Sequence, residues 1–531
     1  MPRPQRLDPE SRRLAESDAR QRDWKRWGPY LPERQWGTVR EDYSATGSCW
    51  DYFPHDHARS RAYRWGEDGL LGLCDRQALL CFAPALWNGR DPILKERLFG
   101  LTHDEGNHGE DVKECYFYQD GTPTHSYMRA LYRYPHAAFP YSRLVYENGC
   151  RGLEDLEFEL PDTGVFDEDR YFDLVVEYAK AGPDDLLIRL TVANRGPEAA
   201  SLHVLGQLWF RNTWAWGCPR EGRWGRPEII ASGGGILRAE HAALGTFLFA
   251  ADSLRDGAPP QLLFTENETN WARLNRGSNA APWVKDAFHE YIVNSRRDAV
   301  NPERRGTKAA ALYPLQIPPG EERVLRFRLY PKNATLREPL GPEFDRTFAQ
   351  RREEADRFYA ERLPASLSDE ERRVARQALA GLLWSKQFYC YSVREWLDGD
   401  PCQPPPPPGR TRNREWRHLH NEAVVSVPDR WEYPWYAAWD LAFHMVPYAH
   451  LDTAFAKEQL LLLLDDRYLH PNGQLPAYEF AFGDVNPPVH AWAALRVYRV
   501  DAERRAKPDT AFLTRAFQRL LINFTWWVNQ G

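Results

Sequence analysis

The residues best suited to bind a small molecule lie between Trp431 and Trp492. Flat aromatic rings can stack on a sugar ring, and carboxylates and amides beside them can hydrogen-bond its hydroxyls. Several of the polar residues stand in Gly- and Pro-rich turns, where side chains often face a ligand. We therefore predict a sugar pocket here, with core packing as the alternative for any single Trp. The segment contains Trp431, Glu432, Tyr433, Trp435, Tyr436, Trp439, Asp440, Gln474, Tyr478, Glu479, Asp484, Asn486 and Trp492.

Asp440 and Gln474 each allow more than one role. Asp440 could bind sugar hydroxyls, oriented by Trp439, or act as a catalytic acid. An aspartate at the start of a helix can also simply bind backbone N–H groups. Gln474 lies in a turn, where it could contact a hydroxyl or cap the turn.

A second polar cluster precedes the β-rich part of the chain. It matches neither the HExxH pattern of a zinc helix nor an EF-hand loop, and it contains two glycines. We predict a loop that lines one side of a cleft, and no metal site. The cluster contains His103, Asp104, Glu105, His108, Glu110 and Asp111.

Length and composition describe a folded protein of several domains. A chain of 531 residues with 43% hydrophobic residues predicts two or three domains. The net charge of −6 gives no reason to expect nucleic acid as a partner. Without a signal-like N-terminus or an apolar stretch of membrane-spanning length, a cytoplasmic protein with no membrane partner is expected. The eight scattered cysteines predict free thiols.

The pattern along the chain changes from β to helical near residue 340. Alternating apolar residues and turn sequences predict short antiparallel strands, including a hairpin around Asp75–Gln77. Ser368 followed by Glu371 is a capping-box signature for a helix. Five consecutive prolines predict a stiff extended loop, with an SH3-type ligand as the alternative. The predicted units are a charged N-terminal extension over 1–30 with a short exposed helix, a β-sandwich over 31–340, helices over 341–400, a Pro-rich loop over 401–430, and helices over 431–531, the first two at 439–466 and 488–500.

Three motifs in this order resemble glycoside hydrolase family 63. They are Trp439–Asp440, Gly473–Gln474–Leu475–Pro476, and Asn486–Pro487–Pro488 with Trp492. The resemblance implies an N-terminal antiparallel β super-sandwich and a C-terminal (α/α)₆ toroid with the sugar at its centre. It also implies hydrolysis with inversion, by a carboxylic acid and a carboxylate base, without metal or organic cofactor.

The sequence departs from this family in the length of its helical part. Too few residues follow the Pro-rich loop for twelve helices, so we expect an incomplete toroid and a C-terminally truncated chain. The family pattern places Asp440 in the substrate-holding wall and both catalytic carboxyls in later segments that are absent here. No catalytic residue is therefore assigned, and Asp440 is the fallback candidate. The predicted substrate-binding residues are Trp435, Tyr436, Trp439, Asp440, Gln474, Tyr478, Glu479, Asn486 and Trp492.

The predicted function is that of an inverting α-glucosidase-like hydrolase acting on an oligosaccharide or glycosyl-glycerate-type substrate. The alternative is a non-catalytic carbohydrate-binding or assembly protein. A carbohydrate is the expected partner. Apolar helix faces that include Phe524, Trp526 and Trp527 predict possible self-association.

Overall fold

The chain has a β-rich N-terminal part and a helical C-terminal part. A computed structural model describes residues 7–35, 40, 52–102, 105–109, 111–218, 224–254, 257–274, 277–479, 483–504 and 507–530. None of the helices within these residues is long and apolar enough to cross a membrane.

The described residues form the following strands and helices. The strands are β1 (Trp27–Gly28), β2 (Leu73–Asp75), β3 (Leu80–Trp87), β4 (Gly100–Leu101), β5 (Asp111–Val112), β6 (Cys115–Gly121), β7 (Tyr127–Pro135), β8 (Tyr171–Gly182), β9 (Asp185–Asn194), β10 (Ala200–Phe210), β11 (Glu228–Ala231), β12 (Ile236–His241), β13 (Gly245–Ala251), β14 (Gln261–Thr265), β15 (Arg305–Gly306), β16 (Lys308–Ile317), β17 (Glu322–Pro331), β18 (Lys386–Ser392) and β19 (His420–Ser426). The helices are α1 (Pro9–Asp18), α2 (His55–Ala58), α3 (Tyr141–Gly149), α4 (Ala287–Ile292), α5 (Pro342–Ala360), α6 (Asp369–Trp384), α7 (Val393–Asp398), α8 (Ala438–Leu451), α9 (Thr453–Leu462), α10 (Val489–Arg504) and α11 (Thr510–Gln530).

Two antiparallel sheets share one apolar core. The first has the order β1-β2-β3-β10-β16-β14, and the second has the order β15-β11-β12-β13-β17-β9-β8-β7-β6. Phe82 of the first sheet lies 5.8 Å, between ring centroids, from both Phe249 and Phe327 of the second. A Cβ at Gly206 would lie 2.5 Å from the Phe327 ring, so glycine allows the sheets to approach here. Aromatic rings from alternating strand positions therefore fill the space between the sheets.

The hairpin predicted around Asp75 is confirmed. Strands β2 and β3 pair antiparallel, and the Asp75 carboxylate accepts hydrogen bonds from the backbone N–H groups of Gln77 and Leu80, at 2.9 and 2.7 Å. Such side-chain bonds satisfy the turn and explain why Asp favours this position.

The prediction of an exposed N-terminal helix is wrong in one respect, because one face of α1 is buried. Arg13 donates to Glu354 of α5 at 2.7 Å. Glu10 is buried and accepts from the hydroxyls of Thr124 and Ser126. The contact is made by hydrogen-bonded polar groups together with Leu14, so hydrophobic periodicity alone could not reveal it.

The helices after residue 340 are interrupted by a two-stranded sheet that the sequence did not indicate. The capping box of α6 is present, with Ser368 and Glu371 bonded reciprocally. The helix ends at Trp384, and β18 then pairs antiparallel with β19, which lies in the predicted Pro-rich loop. Strand β18 is buried along its whole length. Its partner comes from beyond the prolines, and such long-range pairing leaves little trace in local sequence.

Helices α8 to α11 form the remainder of the described chain. The single helix predicted over 439–466 is two helices, because the chain turns at Asp452, whose carboxylate caps α9 by accepting from Phe455 N–H at 3.0 Å. Lys457 of α9 is paired with Asp501 of α10 and lies 2.7 Å from Asp509 beside α11. These contacts hold three helices together around an apolar core.

Trp431 joins the helical part to the β-rich part. Its indole is fully buried and belongs to the core between the sheets. A Cβ at Gly100 would lie 1.9 Å from this indole. Glycine is therefore required at position 100 for the ring to enter the β core.

Candidate functional site

The loop after α9 wraps the N-terminus of α8. Ala437 and Tyr478 form a β-bridge, and Ala438 N–H donates to Ala477 O at 3.0 Å. Ala477 N–H in turn donates to Asp484 O at 3.1 Å. The backbone thus satisfies a donor at the start of α8 and brings two separate motifs of the sequence to one place.

Five polar and aromatic side chains lie near one another at this point. The Tyr478 hydroxyl interacts with the side chains of Trp439 and Asn486, and the carboxylates of Asp440 and Asp484 are close enough to affect it electrostatically. Burial, followed by the charge of Asp440, raises the pKa of Tyr478. The structure therefore brings together four predicted residues and Asp484.

Asp440 lies in the first turn of α8 and is half-buried. Burial raises the pKa of its carboxyl, while a backbone N–H lowers it. A carboxyl at a helix N-terminus is a strong acceptor of hydroxyl hydrogen bonds.

An exposed row of aromatic rings begins beside Asp440. Trp439 lies 5.7 Å from Phe443 one turn along α8, and Phe443 lies 5.7 Å from Trp492 of α10, both between ring centroids. Phe443 and Trp492 are 44% and 47% exposed. The row can stack on a ring-shaped ligand. Sequence analysis missed Phe443, although its spacing of four residues from Trp439 places both on one helix face.

Gln474 is buried in the turn that precedes the bridge. Its backbone accepts from His470 N–H at 2.9 Å, and its N–H donates to Asn472 Oδ1 at 2.8 Å. The preceding Gly473 has φ of 93°, and a Cβ there would lie 2.7 Å from Ile522 O of α11. This turn is therefore pressed against α11.

Trp435 and Tyr436 lie in the core of the helical part, and each is 3% exposed. The Tyr436 ring stacks on Tyr468 at 6.4 Å and meets Trp416 edge-on at 5.9 Å. Their predicted contact with substrate remains a prediction.

Glu479 is completely buried. It does not belong to the group of side chains around Tyr478. Burial raises the pKa of its carboxyl to about 7, against the opposing effects of Arg40 and Tyr389. Within the described part of the chain, neither carboxylate oxygen has a well-formed hydrogen bond. Its backbone carbonyl accepts from Asn413 Nδ2. The side chain is a buried carboxyl that can hold a proton near neutral pH.

Glu432 lies elsewhere. Burial, followed by the charge of Asp429, raises the pKa of Glu432, and its carboxyl interacts with Asp111 and the Val112 backbone. Of the three other candidate acids, Glu432, Glu479 and Asp484, it is therefore Asp484 that accompanies Asp440.

The polar cluster at 103–111 does not form one group in the described residues. His103, Asp104 and Glu110 lie outside these residues. Glu105 accepts from Thr102 at 3.0 Å, and His108 contacts Asp155 O at 3.1 Å.

Asp111 meets Glu157 and Glu159 around the ammonium group of Lys113, which lies 2.9 Å from each glutamate. The lysine supplies the positive charge that a metal ion would otherwise bring.

Comparison with known proteins identifies a relationship for the helical part. Residues 433–530 match the model of a family described as the mannosylglycerate hydrolase MGH1-like glycoside hydrolase domain. The match contains the aromatic row and all the residues around Tyr478. The chain therefore carries a glycoside hydrolase-like domain, and this supports a relationship to carbohydrate-active enzymes.

A similar protein in Saccharomyces cerevisiae is the uncharacterized protein YMR196W. It is 48% identical over 559 aligned residues, which cover 98% of this chain and 51% of the yeast protein. The chain thus spans about half the length of this relative.

Similarities to solved structures are weak. A polysaccharide lyase aligns with 34% of this chain and 22% of its own, at 17% identity and a TM-score of 0.19. A protein from the human microbiome, provisionally named as a kojibiose phosphorylase, aligns with 81% of this chain and 52% of its own, at 9% identity and a TM-score of 0.24. These scores are too low to support a conclusion about fold or function.

Proposed function

We propose that residues 433–530 form part of the sugar-binding site of an inverting glycoside hydrolase of the family 63 type. The match to the MGH1-like domain is the observation that carries this proposal. In the proposed site, Trp439 and Trp492 stack on the sugar. Asp440, Tyr478 and Asn486 bind its hydroxyls. The substrate is an α-linked oligosaccharide or a glycosyl glycerate.

The catalytic acid and base are proposed to lie outside this chain, in a longer form of the polypeptide. In that form further helices complete an (α/α)₆ toroid, and the two sheets form the super-sandwich over 31–340. The exposed apolar side chains of α8, α10 and α11 support this arrangement, since further helices would cover them. They are Phe443, Trp492, Leu495, Phe517, Leu521, Ile522, Phe524 and Val528.

Replacing Asp440 with Asn is expected to weaken binding of glycosyl glycerates and maltose to the 531-residue chain about tenfold or more. A hydrogen bond to a charged group contributes roughly 1.5–3 kcal/mol. Asp466→Asn, an exposed aspartate of the same helical part, is the matched control and should bind normally. Titration calorimetry measures both. Equal affinity in the two variants would contradict the assigned role.

Hydrolysis assays test the placement of the catalytic groups. Activity in a longer form and none in the 531-residue chain is the expected result. Hydrolysis by the short chain would instead favour catalysis by Asp440 with Asp484. Saccharide binding without hydrolysis in either form would favour a carbohydrate-binding protein, the alternative that the exposed aromatic row supports.

The exposed face of α11 is expected to cause self-association of the 531-residue chain and binding of a hydrophobic dye. Changing Phe517 and Phe524, each 61% exposed, to Ser should reduce both, because less apolar area is then exposed to water. Val374→Ser on α6, also 61% exposed, is the control. Light scattering and dye fluorescence measure the effect. An unchanged monomer without bound dye would argue against an uncovered helix face.

A further inference from the structure

A cavity apart from the Asp440 site lies between the β-rich part and the Pro-rich segment, residues 402–410. We name it the Pro-rich pocket. Its volume is about 410 Å³, within the range of about 300–1,000 Å³ found for small-molecule sites. Trp216, Trp271 and the prolines 404–407 supply apolar surfaces, and Arg61 and Gln403 supply polar groups. Its described lining shares no residue with the group around Asp440.

One wall of the Pro-rich pocket consists of two loops bound to each other. Ala62 N–H donates to Thr269 Oγ1 at 3.0 Å, and Asn270 N–H donates to Ser60 O at 2.8 Å. These bonds hold the half-buried Trp271 at the side of the cavity. The aromatic surface is therefore in place before a ligand arrives.

Another wall is the Pro-rich segment, whose first residues are bound to the loop that follows β10. Cys402 N–H donates to Trp216 O at 3.1 Å, and Gln403 Nε2 donates to Ala215 O at 2.8 Å. Gly217 has φ of 73°, and a Cβ there would lie 2.5 Å from Cys402 Sγ. These contacts hold the residues directly before the prolines in place.

One of the arginines that line the Pro-rich pocket, Arg64, is already paired. Arg64 is fully buried, with Nε 2.9 Å from both carboxylate oxygens of Asp400 and Nη2 2.9 Å from Glu395. Because two carboxylates already neutralise Arg64, this guanidinium provides no strong attraction for an anion. Arg410 lies over the Trp396 ring and donates to the Trp396 carbonyl.

We propose that the Pro-rich pocket binds a short neutral saccharide, separately from the Asp440 site. Indole and proline rings can pack against the C–H faces of a pyranose, and the amide and guanidinium groups at the rim can bind its hydroxyls. The choice of ligand class rests on the function proposed above. In a carbohydrate-active enzyme such a site holds a second part of a long substrate, or a second molecule.

The test uses maltose and the 531-residue chain in which Trp439→Ala and Asp440→Asn disable the α8 site. Titration calorimetry should still detect maltose in this background. Adding Trp271→Ala should weaken that binding roughly tenfold, the loss expected for one stacking ring. Trp271→Phe, which keeps a flat ring, should weaken it less. Trp224→Ala, at another half-buried Trp of the β-rich part, should have no effect.

The outcomes separate this inference from the proposed function. If disabling the α8 site removes all binding and Trp271→Ala in the unmodified chain has no effect, the pocket proposal is wrong and the proposed function stands. If Trp271→Ala alone removes binding, the α8 proposal fails. A preference for adenosine over maltose at Trp271 would also overturn the saccharide assignment. Should Trp271→Ala fail to fold, Trp271→Leu provides a second variant, and a similar loss of affinity is expected because it also removes the flat ring.

Discussion

Replacing Arg430 with Ala is expected to lower the free energy of unfolding at pH 8 by about 3–5 kcal/mol. The Arg430 guanidinium is buried, and its Nε lies 3.2 Å from a carboxylate oxygen of the buried Glu33. It also lies 5.8 Å from the ring centroids of Tyr118 and Trp384. Without Arg430, the carboxylate of Glu33 would remain buried with no nearby cation among these contacts, and its charge would be costly.

The effect of Arg430→Ala should depend on pH. Burial raises the pKa of Glu33 to about 7, although Arg430 lowers it. Without the arginine the folded carboxyl binds its proton still more tightly, whereas the unfolded one does not change. At pH 5 the folded Glu33 carboxyl is protonated with or without Arg430. At pH 8 the unmodified protein can ionise Glu33 beside Arg430, whereas the variant must either bury an unpaired carboxylate or keep the carboxyl protonated. The loss of stability should therefore be larger at pH 8 than at pH 5.

Denaturant unfolding at both pH values measures this prediction. Arg357→Ala, at an exposed pair on α5, is the control and should change the free energy by less than about 1 kcal/mol. The double variant Glu33→Gln with Arg430→Met should recover part of the loss, because it leaves no buried charge. Equal losses for Arg430→Ala and Arg357→Ala would show that the buried pair contributes little.

Replacing Glu479 with Gln is expected to stabilise the protein above pH 7 by up to about 3 kcal/mol. A glutamate carboxyl in water has an ordinary pKa of 4.5, whereas the carboxyl of Glu479 has a pKa of about 7 in the folded chain, with burial as the largest cause. Between these values the folded state binds more protons than the unfolded state. Stability of the unmodified protein therefore falls as pH rises through this interval, and glutamine removes that dependence.

The free energy of unfolding at pH 5 and pH 8 shows whether Glu479 is a carboxyl without a strong partner or a carboxylate stabilised by Arg40. A gain in stability confined to pH 8 is expected for a buried carboxyl without a strong partner. Glu353→Gln, at an exposed carboxyl of α5, is the control and should show no such gain. A loss at pH 8 would mean that the ionised form of Glu479 is stabilised by Arg40. Reduced saccharide binding by a stable Glu479→Gln would support the predicted substrate contact.

The parts of the fold that sequence could predict are those set by local chemistry. Asp75 and Ser368 bond to backbone groups only a few residues away, so their patterns identify a turn and a helix start. Strands β18 and β19 could not be found in this way. Their pairing crosses a long Pro-rich segment, and β18 continues directly from the apolar pattern of α6.

The candidate site was predictable in its residue types but not in its arrangement. Trp439, Asp440, Tyr478 and Asn486 have side chains suited to sugars, and the structure places them near one another. Trp435 and Tyr436 are equally suited to stack on a sugar by residue type, but they lie in the core of the helical part. An aromatic residue that packs and one that faces solvent look alike until the neighbouring helices are placed.

The burial of Trp431 between the sheets limits how this protein could be divided or recombined. A chimera that joined the helical part to the β-rich part of another protein would need a residue without a side chain at position 100, or the indole could not enter. Expressing 431–531 alone would leave that indole without its cavity. The helical part is therefore expected to be less stable when it is separated from the β-rich part.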